Sequence, residues 1–409
     1  MAIHDAGAPP SPMRDDALVH AFQLTCFGFC VAHAVFLAAA FFYGQWLVDP
    51  AGRGVPADFV NVWAAGRLVL DGRPADAYDW EIQKQVENAA VGYAFSGHYS
   101  WHYPPPFLAV ASALAQFPYA VAFALWVAAT LPLYVMTMRW IVGQRLGYLL
   151  AGAFPAVLAN MLTGQNGFLS AALIGGTLGF MERRPVLAGC CLGLLTYKPH
   201  LGILFPIVLA IAGRWTVFIS AAAAGIAIAL ASWLLFGAAS WEAFFHWLPN
   251  SSKAFLSEGN ADWAKLQSVF GLVRTMGGNE VFAWTAQIII ALLVAAALCV
   301  AWRSKCPFNL KAAALATATL LATPYVYLYD MVVLAIAVAF FVRHLTISEI
   351  RPGEYLALAV MAVLIFSFPF VKLPVGLIAT CIVGLLIAFR CINATAQCSK
   401  RPPLRHEPR

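Results

Sequence analysis

Apolar runs recur from residue 22 to residue 392, separated mostly by short polar turns. Runs this long and this frequent predict helices that cross a bilayer, each needing about 20 residues. Spans are predicted at 22–47, 104–138, 147–162, 166–181, 185–197, 199–212, 215–237, 281–302, 311–324, 326–342, 353–371 and 373–390. Several are short, and short or broken helices are tolerated where protein neighbours or a cavity satisfy the backbone. The run 104–138 is too long for one crossing, so Pro118 is expected to divide it into a half-helix and a full span. The expected fold is an all-α polytopic membrane protein, a bundle of about 12 transmembrane helices. Residues 1–21 precede it as a tail, 22–392 form the bundle, and 393–409 follow as a basic tail. The first run has no small-residue cleavage site and reads as an anchor.

Two polar segments are long, 48–103 and 238–280. The basic connectors are Arg139 with Arg145, Arg183 with Arg184, Arg214, Arg303 with Lys305 and Lys311, and Arg343 with Arg351. With twelve crossings and the N-terminus inside, all of them fall on the cytoplasmic face with the tail residues Arg390, Lys400, Arg401, Arg405 and Arg409, as the positive-inside rule requires. The same count sends both long polar segments, and the polar turns near residues 165, 198 and 325, to the opposite face. One cavity on that face, the periplasmic one, could collect them.

Composition agrees with the pattern. Of 409 residues 62% are hydrophobic and 11% charged, against roughly 25% charged in a soluble domain. The net charge of +6 does not point to nucleic acid. None of the nine cysteines lies in the long polar segments or forms a CxxC pair, so neither a disulfide framework nor a zinc site is expected. No Walker loop, dinucleotide fingerprint or His-Glu-x-x-His is present, so no cofactor and no metal are expected.

Asp58 follows Pro56 and precedes Phe59, Val62 and Trp63. A carboxylate held against apolar neighbours can keep a raised pKa and act as a general base. It is equally placed to cap a helix. Most of the other acids of this segment, Asp71, Asp76, Asp79, Glu81 and Glu87, read as a solvated surface. His102 and Tyr103 stand where the chain enters the membrane before Pro104-Pro105-Pro106. A turn explains Asn166 and Gly167, whereas Gln165 could hold sugar hydroxyls or orient a phosphate. Lys198, ahead of Pro199 and His200, is costly between apolar half-helices unless it snorkels or meets an anion. Gln267 and Arg274 in the second long segment are further candidates, Arg274 for phosphate. Tyr325 and Tyr329 are four apart and are predicted to share a helix face. Asp330 needs a partner, and Lys198 is a candidate for it, which would make the pair structural and not catalytic.

The order of these pieces, Asp58-Phe59, Tyr103-Pro104-Pro105, Gly164-Gln165-Asn166, Lys198-Pro199 and Pro324-Tyr325 followed by Tyr329-Asp330, resembles the bacterial polyprenol-phosphate-sugar-dependent glycosyltransferases of the GT-C superfamily. That group includes the mannosyltransferases of phosphatidylinositol mannoside synthesis. The resemblance implies a GT-C bundle with a helical first periplasmic loop in the inner membrane, a polyprenyl-phosphate sugar donor, and a lipid or glycan acceptor. It implies that Asp58 is the base on the acceptor hydroxyl. The chain departs from the mannosyltransferase branch after Thr323-Pro324, where tyrosines and Asp330 stand in place of histidines. A transporter or flippase of lipid-linked sugars is the alternative, though internal repeats and midplane polar groups would mark one.

Overall fold

The computed structural model describes residues 13–400, apart from 98, 144, 261, 347, 349, 350 and 372. Among the described residues there is no β-strand, only isolated bridges at Trp46–Val48 and Val48–Gly54. Seven helices are long and apolar enough to cross a membrane: Val19–Phe42, Tyr119–Val142, Trp215–Ser257, Glu280–Arg303, Leu328–Leu345, Pro352–Phe370 and Val375–Ala396. Leu146–Ala153 and Ala156–Thr163, bent by 63°, make an eighth if taken together. The figure of about 12 also counts Gly167–Phe180, Pro185–Tyr197, Pro199–Ile211 and Phe308–Leu321. A helix of 14 residues reaches only about 21 Å, short of a hydrocarbon core of about 30 Å. The protein is an all-helical, multi-pass membrane protein.

The core surrounds Val332–Leu345, in which every residue but Arg343 is buried. By contrast, Trp215–Ser252 leaves Leu230, Leu234 and Leu235 exposed. Large apolar side chains left outward on such helices are covered by lipid, not water. Proline divides the 104–138 run as expected: Leu108–Leu114 stops before Pro118, and Tyr119–Val142 follows.

Contacts sort the connectors into two ends. Gly189 packs against Val217, Ser220 and Ala221, and Gly193 against Ala221 and Ala224. Both helices advance together, so they run parallel and the chain between them, 199–211, must return. The ion pair of Arg214 with Glu182, 3.4 Å, closes that return. Lys311 lies near both and donates to the Ser304 carbonyl. Arg343 donates to the Val142 carbonyl. Glu354 and Arg390 form a buried pair beside His344. The basic connectors therefore gather at one end of the bundle, and the long polar segments lie at the other.

Two expectations are corrected. Cys306 and Cys391 are joined by a disulfide, S–S 2.04 Å; their 85-residue separation hid the pairing from the sequence. The last helix, Val375–Lys400, continues into the segment expected as a tail. No glycine or proline interrupts 393–400, and the remaining tail, 401–409, lies outside the described residues. Tyr325 and Tyr329 share no helix face. Pro324 interrupts the helix, residues 325–327 run without helix, and Tyr327 stacks on Tyr329 instead.

Candidate active site

Asp58 immediately precedes the helix Phe59–Leu70, where capping would be expected, yet its side chain makes no capping bond. Its own backbone is already helical, φ −53°, ψ −29°. That geometry turns the carboxylate away from the free N–H groups. The carboxylate instead accepts a hydrogen bond from Gln165 Nε2 at 3.1 Å. Gln165 is presented by Gly164, which ends Ala156–Thr163 at φ +65° and would drive a Cβ into Phe123 and Phe59. Only glycine meets both demands. Gln165 Oε1 accepts from the Tyr103 hydroxyl at 3.2 Å, which completes a chain from Tyr103 through Gln165 to Asp58. Burial raises the Tyr103 pKa, so its hydroxyl keeps the proton it donates. Burial likewise pushes the Asp58 carboxyl above the usual carboxylate range. The Gln165 amide and the charges of Lys265 and Lys198 pull it back, and Asp330 adds to the rise.

Facing this chain, Lys198 Nζ contacts Asp330 Oδ1 at 2.7 Å, with both side chains buried. The lysine does not snorkel. Its ammonium also stands 5.2 Å from the centre of the Tyr329 ring. The second Asp330 oxygen accepts from the Tyr327 backbone N–H. An ammonium has three hydrogens, so Asp330 leaves Lys198 hydrogens for an anion. Beside the pair, Asn166 is buried with neither side-chain polar atom in a well-formed hydrogen bond.

An apolar groove of about 340 Å³ is lined by Pro199, the residue after Lys198. Leu195, Thr196, Pro199 and Ile203 from the 185–211 hairpin form one wall, and Phe218 and Ala221 of the next helix form the other. Ile203 and Ile207 are exposed along the same hairpin, on a face that meets lipid.

The model of glycosyltransferase family 87, GT87, matches residues 101–324, more than half of the chain. The chain belongs to glycosyltransferase family 87. The match supports a GT-C-type membrane glycosyltransferase, which requires a sugar donor and an acceptor. No curated protein and no solved structure matches the chain at a significant level. The matched range contains the candidates from His102 to Arg274 and leaves out Asp58, Tyr325, Tyr329 and Asp330.

The remaining candidates of this GT87 transferase divide into those near the polar chain and those held elsewhere. His102 faces Ser251 Oγ at 3.3 Å and the edge of Phe255, and burial pushes its pKa down to about 4. It is therefore neutral at physiological pH. His200 lies against Tyr325 at 6.4 Å. Gln267 is saturated by backbone: its amide donates to the Ala264 and Lys265 carbonyls, and its carbonyl accepts from Gly376. Arg274 donates to the Gly278 and Ser257 carbonyls and stacks over Trp263 at 4.1 Å. Both fix the folding of the second polar segment.

Other residues went unmarked in the sequence. Tyr197 stacks on Phe107 at 4.9 Å, and its hydroxyl meets Ser170 at 2.7 Å. Asn160 ties Gly167 to the Tyr329 carbonyl. Lys265 sends positive charge to Asp58 from a segment 207 positions away in sequence. Only the position of Tyr197, directly before Lys198, hinted at its role.

Proposed function

We propose that this GT87 protein transfers a hexosyl unit of mannosyl type from a polyprenyl phosphate to a hydroxyl of a lipid or glycan, at the periplasmic face of a bacterial inner membrane. The observation that carries the reading is Asp58, set at a helix start without capping it, held by Gln165, and facing a buried lysine. In the reaction, Asp58 takes the proton of the acceptor hydroxyl. The hydroxyl oxygen forms a bond to the anomeric carbon as the bond from that carbon to the phosphate oxygen breaks. One displacement inverts the centre, and polyprenyl phosphate leaves with the bonding electron pair. Lys198, steadied by Asp330, balances the charge that grows on phosphate. Phosphate leaves readily, so a second, protonating carboxyl is not required, in contrast to glycoside hydrolysis. The groove lined by Pro199 offers an isoprenoid chain an apolar bed, and Pro199 directly follows Lys198 in the chain. Burial of Asp58 favours its function as base, because a raised pKa strengthens proton capture near neutral pH.

Purified protein incubated with a panel of polyprenyl-phosphate sugars, followed by mass analysis of products, tests the reading. Asp58→Asn is expected to lower turnover by about 10²–10⁴-fold, the usual contribution of a general base, while the protein stays folded. Full activity of that variant removes Asp58 from the chemistry. Lys198→Ala is expected to raise the donor KM more than the acceptor KM.

A further inference from the structure

The first polar segment contains a buried acid that the proposed chemistry does not use. Glu87 lies on the inner face of the helix Trp80–Val91 and is 1% exposed, where the sequence predicts a solvated acid. Gln83, one turn earlier on that face, is equally buried. Its amide donates to the Asn61 carbonyl at 2.8 Å, and the Asn61 amide donates to the Ser100 carbonyl at 3.2 Å. Asn61 belongs to the first turn of the helix that starts after Asp58. These two bonds clamp the turn that aims Asp58 at Gln165.

The polar atoms of this cluster do not balance. Gln83 Oε1, Asn61 Oδ1 and both carboxyl oxygens of Glu87 are buried without a well-formed hydrogen bond. All are acceptors, and buried acceptors without donors are costly. The nearest charge is Lys84 Nζ, 3.8 Å from Glu87. It donates at 2.6 Å to the Gly97 carbonyl and sits 3.2 Å from the centre of the Phe95 ring. From the neighbouring segment, the Tyr99 backbone faces Glu87, and the Tyr99 hydroxyl feels both Glu87 and Asp58. A single donor inside the cluster would relieve one of these carbonyls and remove the charge from Glu87, and a protonated Glu87 can supply it.

We infer that Glu87 is held as a neutral carboxylic acid whose proton is shared with the Gln83 or Asn61 side-chain carbonyl, and that this proton fixes the turn carrying Asp58. Glu87 is thus a positioning residue. Ionising it removes the donor to that carbonyl and sets a negative charge against the carbonyl oxygens of Gln83 and Asn61, which loosens the clamp on Asn61. Burial pushes the Glu87 pKa up to about 8, with Lys84 and the Tyr99 backbone N–H opposing the rise. The neutral form therefore dominates at neutral pH, and the loosening falls in the mildly alkaline range.

The stability arm of the test stands without the functional reading. The folded protein keeps this proton up to about 8, whereas the unfolded chain releases it near the ordinary value of 4.5. Between those values the folded state binds more protons, so stability falls as pH rises through that window. Thermal unfolding of the full-length protein in detergent is expected to show that fall. Glu87→Gln, which keeps the shape and supplies an N–H donor but cannot ionise, is expected to fold and to remove this part of the slope. It should also remove an infrared band of a protonated carboxyl that Asp58→Asn leaves in place. An unchanged slope or band in Glu87→Gln, or failure of that variant to fold, overturns the inference. So does a rise in melting temperature of the wild type with Mg²⁺ or Ca²⁺, since a cation would then answer these oxygens. The kinetic arm rests on Asp58 as base: the alkaline fall in kcat for sugar transfer should vanish in Glu87→Gln with donor KM unchanged. Its persistence overturns the link to Asp58, and if no donor is turned over, the unfolding and infrared measurements still decide the protonation of Glu87.

Discussion

Lys198 and Asp330 show how a buried ion pair can serve a site without defining it. Removing two charges from water is costly, and a close, well-bonded pair offsets that cost only in part. Here Asp330 meets the ammonium at 2.7 Å and uses its other oxygen on the Tyr327 backbone. The pair is thus fastened to the break before Leu328–Leu345, and the lysine is aimed with it. Asp330→Ala leaves a buried ammonium unpaired and is expected to destabilise the protein by about 3–5 kcal/mol. Lys198→Ala with Asp330→Ala removes both charges and is expected to cost less than Asp330→Ala alone. Thermal unfolding of the single and double variants in detergent measures the coupling. Additive losses would show that the two groups do not interact.

Broken helices, not long ones, deliver the polar groups. Gly164 ends one at φ +65° and hands over Gln165; Pro199 and Pro324 end two others next to Lys198 and the tyrosines. Gly164→Ala is expected to destabilise by more than about 1 kcal/mol, since alanine is strained at positive φ. It should also lower sugar transfer by displacing Gln165; normal activity and stability together would contradict the role given to this turn. Such breaks were legible because proline and glycine act locally. The apolar runs and basic connectors were legible because lipid imposes composition along the chain itself. Gln267 and Arg274 show where reading stops. Each is a polar residue in a promising segment, but whether an amide faces a ligand or a backbone carbonyl depends on what packs against it. Glu87 failed in the opposite direction, since a charged residue amid charged neighbours gives no sign of burial. The disulfide between Cys306 and Cys391 needed two distant segments to meet at one end.

That end carries the basic connectors, and charge asymmetry sets orientation in a bilayer. Placing it in the cytoplasm puts Asp58, Gln165, Lys198 and Asp330 on the outer face, where a lipid-linked donor is accessible. The disulfide argues in the opposite sense, because such bonds persist in oxidising compartments. The two observations are unequal in weight. Arg139, Arg183, Arg184, Arg214, Arg303, Lys311 and Arg343 act together on topology, whereas one bond with both cysteines buried, 4% and 8% exposed, is sheltered from soluble thiols wherever it lies. Labelling with a membrane-impermeant thiol reagent separates them, using a cysteine at exposed Asp71 or at exposed Glu182 in a protein whose free cysteines have been replaced. Asp71→Cys is expected to react in intact spheroplasts, and Glu182→Cys only after lysis. The reverse result would turn the molecule over, place Asp58 in the cytoplasm and leave the disulfide end outside, and the proposed outer-face reaction would fall with it.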